Sequence, residues 1–338
     1  MSNISVIGSG SWGTALAWLL CNNGHRVTLW SYLEEEAAMY RRYHQNTDKL
    51  PGVVLPDHVT YTTDLEEACA GKDALVLAVP SPAVRGTVSR MKSFVPEGML
   101  IINVAKGIEE DTLLTMGQII EQEIPQANTA VLSGPSHAEE VGRGLPTAIV
   151  AGAHDKETAR AVQKLFMSPV FRVYTSPDLT GIQVGAALKN VIALAAGIAD
   201  GMGYGDNTKA ALITRGSAEI ARLGIAMGAD PNTLYGLSGI GDLFVTCASV
   251  HSRNRRAGFL MGQGRSMKEA MEEVHQVVEG VYSARAGRLL AEKYAVEMPI
   301  IEAVNRVLFE DEDPRKAVRD LMVRDGKDET GDWDLRQP

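Results

Sequence analysis

Residues 4–13 read ISVIGSGSWG, a short apolar run ending on glycines at positions 8, 10 and 13. No other stretch constrains the fold as tightly. G-x-G-x-x-G directly after a strand, and at the opening of a helix, marks a dinucleotide-binding βαβ unit. In that setting Gly8 permits the tight turn. Gly10 lets the backbone approach a pyrophosphate, and Gly13 lets helix and strand pack closely. Free amides at the start of a helix over 11–23 would hold the anion. A glycine-rich turn that binds nothing shares the spacing but does not need this strand–helix context.

The rest of the first half repeats the pattern of short apolar runs separated by helical stretches. RVTLW (26–30), ALVLAV (74–79), MLIINV (99–104), TAVLSG (129–134), TAIVAG (147–152) and VFRVY (170–174) read as further strands. Runs of this kind, separated by helices, predict a parallel sheet covered on both faces. After Ser176-Pro177 strand signals nearly vanish and helical periodicity continues to about residue 322. The expected fold class is α/β: an N-terminal Rossmann-type doubly wound sheet over 1–177 and a C-terminal all-α domain over 178–323. A polar tail, 324–338, is expected to be mobile. A chain of 338 residues has room for both domains.

Composition removes several function classes. The net charge of −9 argues against a general nucleic-acid binder. Cys21, Cys69 and Cys247 are scattered and odd in number, and the histidines show no H-E-x-x-H spacing. Neither a disulfide framework nor a metal site is therefore expected, and reduced thiols fit a cytoplasmic protein. No secretory leader of the usual form is expected, because a strand and its motif occupy the first ten residues. The apolar stretch 184–199 is long, but Gln183, Lys189, Asn190 and several glycines interrupt it. A central helix of a globular domain is expected there rather than a membrane span.

That stretch, VGAALKNVIALAAGIA, contains one charged side chain, Lys189. Burying an unpaired ammonium costs several kcal/mol even after relaxation. Asp242, alone among apolar neighbours in GLSGIGDLFVTC (236–247), is the expected counter-charge. Desolvation and a second cation nearby, Lys106, would favour the neutral amine. Such a lysine exchanges protons with a substrate oxygen near neutral pH. Beside a nicotinamide this chemistry is carbonyl reduction. A lysine snorkelling to the surface is the alternative.

Other motifs surround it. Lys106 in NVAKGI (103–108) follows an apolar strand, where ligands of open parallel sheets collect. Ser136 and Glu139 in SGPSHAEEV (133–141) have capping-box spacing, which predicts a helix start. SRNRR (252–256) sets three arginines around an asparagine, an arrangement suited to phosphate or to an exposed helix face. Cofactor choice stays open between NAD and NADP. The second strand ends Trp30-Ser31-Tyr32 with no acid, Glu34, Glu35 and Glu36 follow, and Arg41 and Arg42 read as a solvated face or as partners of a 2′-phosphate.

GSGSWGTALA, NVAKGIE, LSGPSHAEEV, GAALKNVIALAAGI, GLSGIGDL, SRNRR and QVVEGV occur in this order. The set resembles bacterial NAD(P)-dependent glycerol-3-phosphate dehydrogenase from Ile4 to about Leu321. The resemblance implies interconversion of dihydroxyacetone phosphate and sn-glycerol 3-phosphate, supplying phospholipid synthesis. It implies Lys189 as proton donor and acceptor, with Lys106 and Asp242 orienting substrate. Ser252, Arg253 and Asn254 would grip the phosphate, and Gly134 and Ser136 would line the substrate edge. NAD or NADP would meet Gly8, Gly10, Ser11, Trp12, Gly13, Tyr32, Lys106, Ala138, Arg253, Val278 and Glu279. Tyr32 is where family members vary. A homodimer, no nucleic acid, no membrane span and no metal are also implied. The alternatives are a related hydroxyacid dehydrogenase, which the Arg253–Asn254 cluster disfavours, and a non-catalytic nicotinamide sensor, which has little need of Lys189.

Overall fold

The computed structural model describes residues 1–326, 328 and 329. Most of the expected tail, 324–338, lies outside these. An eight-stranded sheet is built from β1 (Asn3–Ile7), β2 (Arg26–Trp30), β3 (Thr60–Thr62), β4 (Ala74–Leu77), β5 (Leu100–Asn103), β6 (Asn128–Ser133), β7 (Thr147–Ala153) and β8 (Phe171–Ser176). The spatial order is β3-β2-β1-β4-β5-β6-β7-β8. β4 is ALVL and wholly buried, as a strand covered by helices on both faces must be. β8 alternates buried and exposed residues along FRVY, because it is an edge strand.

Two features depart from the sequence expectation. β3 has three residues, TYT, at the opposite edge, and its apolar signal is too short to read. The sheet is also not wholly parallel, since β6 and β7 pair antiparallel, with Ala130 opposite Ala153. The chain between them contains only a one-turn helix, Ala138–Val141. It turns back at the sheet edge rather than crossing a face, as a parallel connection requires.

The order reverses between β1 and β4, and ligands of such sheets bind in the crevice outside the strand ends at that point. Gly8 leaves β1 there with φ of +123°, and its amide donates to the Trp30 carbonyl at 3.1 Å. The helix Ser11–Asn22 follows at once.

The second layer is helical. Its axis is Leu179–Gly201, whose first turn is capped by Asp178 accepting from the Gly181 amide at 2.8 Å. This helix is long and apolar enough to cross a membrane, yet its apolar window is entirely buried inside the protein. Asp206–Ala226, Arg253–Gly262, Glu279–Lys293 and Pro299–Phe309 pack around it. Its contact with Arg253–Gly262 is set by four glycines. A Cβ on Gly197 would lie 2.1 Å from the Arg255 carbonyl oxygen, and one on Gly258 would lie 2.1 Å from that of Leu194. Gly201 and Gly262 repeat this one turn further along, so the two backbones touch without side chains between them.

Candidate active site

The crevice and the helical axis meet at one carboxylate. Asp242 opens the helix Asp242–Ala248 after a π-helical turn, Leu237–Gly241. The turn packs on the axis one helical turn before Lys189, where a Cβ on Gly185 would lie 2.9 Å from the Ser238 carbonyl oxygen. That contact aims Asp242 at Lys189. Lys189 Nζ donates to Asp242 Oδ1 at 2.5 Å and to Thr246 Oγ1 at 2.7 Å. Thr246 Oγ1 in turn donates to the Asp242 carbonyl at 2.6 Å. Lys106, from the loop after β5, donates to Asp242 Oδ2 at 2.7 Å and to the Gly134 carbonyl, just past β6, at 3.0 Å. Lys189 is 5% exposed and Asp242 1%.

The charges explain the titration. Burial pushes the Lys189 ammonium down from 10.5 to about 8; the Asp242 carboxylate opposes this and Lys106 adds to it. For Asp242, burial alone would raise the carboxyl, but the two ammonium groups outweigh it and hold it below its usual value. Asp242 therefore stays ionised, and the Lys189 ammonium holds its proton less tightly than an exposed lysine does. An ammonium has three donors. Two are held by Asp242 and Thr246, and the third has no protein acceptor among the described residues.

Sequence reasoning missed two neighbours. Thr246 lies four residues after Asp242 on the same helix face, a spacing that could have flagged it. His137 is lowered by burial first and by Lys189 second, and its Nε2 is buried without a protein partner. Its ring centroid lies 6.0 Å from that of His251.

The 252–256 cluster is divided by the fold. Ser252 caps the helix Arg253–Gly262 by accepting from the Arg255 amide at 3.2 Å. Asn254 is buried; its Nδ2 donates to Asn190 Oδ1 at 2.9 Å and its Oδ1 accepts from the Gly280 amide at 2.8 Å. Arg253 reaches Gln276 at 3.3 Å in an exposed contact. Arg255 is committed to Asp200 at 2.7 Å, so it is a structural cation.

The glycine loop has the geometry a pyrophosphate needs. A Cβ on Gly13 would lie 1.9 Å from the Gly8 carbonyl oxygen, and one on Gly8 would lie 2.7 Å from Ala78 backbone atoms. A Cβ on Gly10 would meet nothing within 4 Å, leaving open space over the loop. Trp12 Nε1 on this loop is a buried donor with no protein partner. These residues fit a dinucleotide. Ser11 Oγ donates to the Lys49 carbonyl at 2.8 Å, which closes the 46–50 segment over the loop.

Tyr32 is 72% exposed beyond β2, and the Arg90 guanidinium lies 5.9 Å from its ring centroid. Arg41 pairs with Glu34 at 2.5 Å and Arg42 lies over Tyr43, as on a solvated face. The expected Ser136–Glu139 capping box does not form. The short helix starts at Ala138 with His137 as its cap residue, and Ser136 Oγ instead donates to the Gly134 carbonyl at 2.9 Å. Ser136 thereby shares that carbonyl with Lys106. Val278 is fully buried, and Glu279 begins the helix Glu279–Lys293. No group of three or more His, Cys, Asp or Glu side chains that could hold a metal occurs among the described residues.

Residues 3–159 match the family profile described as NAD-dependent glycerol-3-phosphate dehydrogenase N-terminus, and residues 178–319 match that of its C-terminus. A glycerol-3-phosphate dehydrogenase [NAD(P)+] of Agathobacter rectalis is 62% identical over 97% of both chains. The enzyme of that name from Fusobacterium nucleatum is 58% identical over 98% of this chain and 100% of its own. The crystal structure of glycerol-3-phosphate dehydrogenase from Coxiella burnetii has a TM-score of 0.92 at 37% identity, covering 96% of this chain and 99% of that one. The chain belongs to the NAD-dependent glycerol-3-phosphate dehydrogenase family.

Proposed function

We propose that this chain interconverts dihydroxyacetone phosphate and sn-glycerol 3-phosphate with NAD or NADP, and that Lys189 carries the proton. One observation supports this above the others. Lys189 is a buried ammonium on Asp242 with one donor left, at the carboxyl edge of a sheet that opens on a dinucleotide loop.

A nicotinamide bound at the glycine loop would supply the hydride for reduction and accept it in the reverse direction. In reduction, protonated Lys189 gives its free proton to the carbonyl oxygen as that oxygen gains charge, leaving a neutral amine. In oxidation the neutral amine takes the hydroxyl proton. A value of about 8 keeps both forms available near neutral pH. Asp242 stays ionised and holds the two lysines apart and in register. Lys106, fixed by Asp242 and the Gly134 carbonyl, presents positive charge to the substrate's oxygens beside Gly134 and Ser136. Arg253, with Ser252 and Asn254 at the start of its helix, is assigned to the phosphate, where guanidinium and free amides are matched to a dianion. Gly8, Gly10, Ser11, Trp12 and Gly13 would hold the dinucleotide, and Tyr32, Lys106, Ala138, Arg253, Val278 and Glu279 are assigned to its further contacts.

The sheet layer to residue 177 serves as the cofactor domain and the helices from 178 to 323 as the substrate domain. We place the protein in the cytoplasm, as a homodimer that supplies glycerol 3-phosphate for phospholipid synthesis. Its three cysteines are free and buried, as a reducing compartment permits. The test is to mix protein, NADH or NADPH and dihydroxyacetone phosphate and follow cofactor absorbance. Cofactor oxidation is expected. No oxidation there, with turnover on a 3-oxo acid, would make the protein a hydroxyacid dehydrogenase.

A further inference from the structure

One buried nitrogen beside the two lysines has no partner in the protein. His137 follows Gly134-Pro135-Ser136 past the end of β6 and is the cap residue of the short helix Ala138–Val141. Its Nε2 is buried and makes no hydrogen bond among the described residues. The ring itself is bonded to the Val245 carbonyl. A carbonyl only accepts, so that bond belongs to the other nitrogen, Nδ1, which carries the ring's hydrogen. Burial first, and Lys189 second, hold the ring below its ordinary value, so it is neutral at neutral pH. Nε2 is therefore a lone pair without a donor. Buried polar atoms of this kind are rare in folded chains, because each forfeits its bond to water and gains none in return.

The ring stands between the two ends of the site. On one side are the ammonium groups of Lys189 and Lys106, both near enough to oppose its protonation. On the other, the His251 ring lies 6.0 Å away between centroids, tilted by 56°. His251 directly precedes Ser252, which caps the helix assigned to the phosphate. The acceptors that hold the two lysines are already engaged. Asp242 takes one ammonium on each oxygen. The Gly134 carbonyl takes both Lys106 and Ser136. The Thr246 hydroxyl takes Lys189 and gives its own proton to the Asp242 carbonyl.

Dihydroxyacetone phosphate brings three polar groups to such a site. The reading above gives its carbonyl oxygen to Lys189 and its phosphate to Ser252, Arg253 and Asn254. The third group, the hydroxyl on the other carbon beside the carbonyl, has a proton to donate, and an ammonium cannot accept it. We propose that His137 Nε2 accepts the hydrogen bond of this hydroxyl, and so makes the site select three-carbon keto phosphates that carry it. This rests on the substrate reading above. A site built to bond a hydroxyl rejects the analogue that lacks it, because the buried acceptor is then left unpaired.

The test compares two substrates on one preparation: dihydroxyacetone phosphate, and hydroxyacetone phosphate, the same ketone without the hydroxyl. kcat/KM is read from cofactor absorbance at saturating NADH or NADPH. The unmutated protein should prefer dihydroxyacetone phosphate at least about tenfold, the size of one such bond. His137→Phe keeps an aromatic ring against His251 and removes both nitrogens. It should lose about tenfold on dihydroxyacetone phosphate and stay within about twofold on hydroxyacetone phosphate, so that the preference nearly vanishes. His137→Gln, which returns an acceptor at about the reach of Nε2, should recover part of it. The ratio does not depend on how much of the protein is folded, so a merely structural role lowers both rates alike. Equal loss on both substrates, or a preference retained in His137→Phe, overturns the proposal. So does an unmutated protein that reduces the two equally, although the dehydrogenase reading then stands. Reduction of neither substrate sinks that reading, and this assignment with it.

Discussion

At the residue scale, Lys189 is explained by its partners. A lone ammonium in an apolar helix would be expelled; one on a buried, ionised Asp242 is retained, and remains able to lose its proton. Lys189→Ala should leave cofactor affinity nearly intact and lower turnover by about 10²–10⁴-fold, the range that positioned proton transfer supplies. Single-turnover absorbance with separately measured cofactor Kd checks this; an unchanged rate would show another group carries the proton. Asp242→Asn removes the attraction that opposes burial, so the lysine should deprotonate at lower pH still. The alkaline fall in the rate of reduction should then begin below about pH 8. Arg253→Ala should raise the KM for dihydroxyacetone phosphate about tenfold, for about 1.4 kcal/mol of lost phosphate contact, and should leave a phosphate-free substrate little changed. Equal loss on both substrates would assign Arg253 elsewhere. The pairing of Lys189 with Asp242 was legible because each was the charge out of place in its own apolar stretch. Thr246 and His137 were not, since threonine on a helix and histidine on a loop are ordinary until packing puts them beside an ammonium.

At the element scale, what positions these residues is backbone approach. The axis Leu179–Gly201 and the helix Arg253–Gly262 touch through Gly197, Gly201, Gly258 and Gly262, which brings Asn254 against Asn190. Gly258→Ala should push the helices apart, since its Cβ would meet the Leu194 carbonyl oxygen. Overpacking of this kind costs about 1–3 kcal/mol. A calorimetric Tm lower by several degrees is expected, and an unchanged Tm would mean that the helices slide without cost. The long apolar helix and the strands of the sheet core were readable because each repeats one residue class over its full length. β3 was not, having three residues, and the reversed β7 was not, because a buried strand shows the same apolar run in either direction. The Ser136–Glu139 spacing misled because the helix starts at Ala138 with His137 at its cap, and the Ser136 hydroxyl donates to the Gly134 carbonyl instead.

At the scale of the molecule, the sheet and helical layers are joined by an apolar cluster, Val131 of β6 with Leu179 and Ile182 of the axis helix, and by polar contacts. Ser81–Glu279 and Lys106–Asp242 cross between them, and both link positions about 136 to 198 residues apart, beyond the reach of any local spacing. The helical layer has its own internal polar link. Buried Glu219 accepts from the Ile300 and Ile301 amides at 2.8 and 3.2 Å, and burial raises it from 4.5 to about 7. Between those values the folded protein keeps a proton that the unfolded chain has released, so this group makes stability fall as pH rises through the window. Glu219→Gln should flatten that part of the Tm–pH curve; a slope unchanged from the unmutated protein would assign it to other groups. The central claim concerns Lys189 and is tested most directly by initial rates in both directions across pH. Reduction needs the ammonium and should fall above about pH 8, while oxidation needs the amine and should rise through the same pH. Mirror-image limbs that both disappear in Lys189→Ala are the predicted result. Two profiles with no shared inflection, or inflections that persist without the lysine, would contradict it.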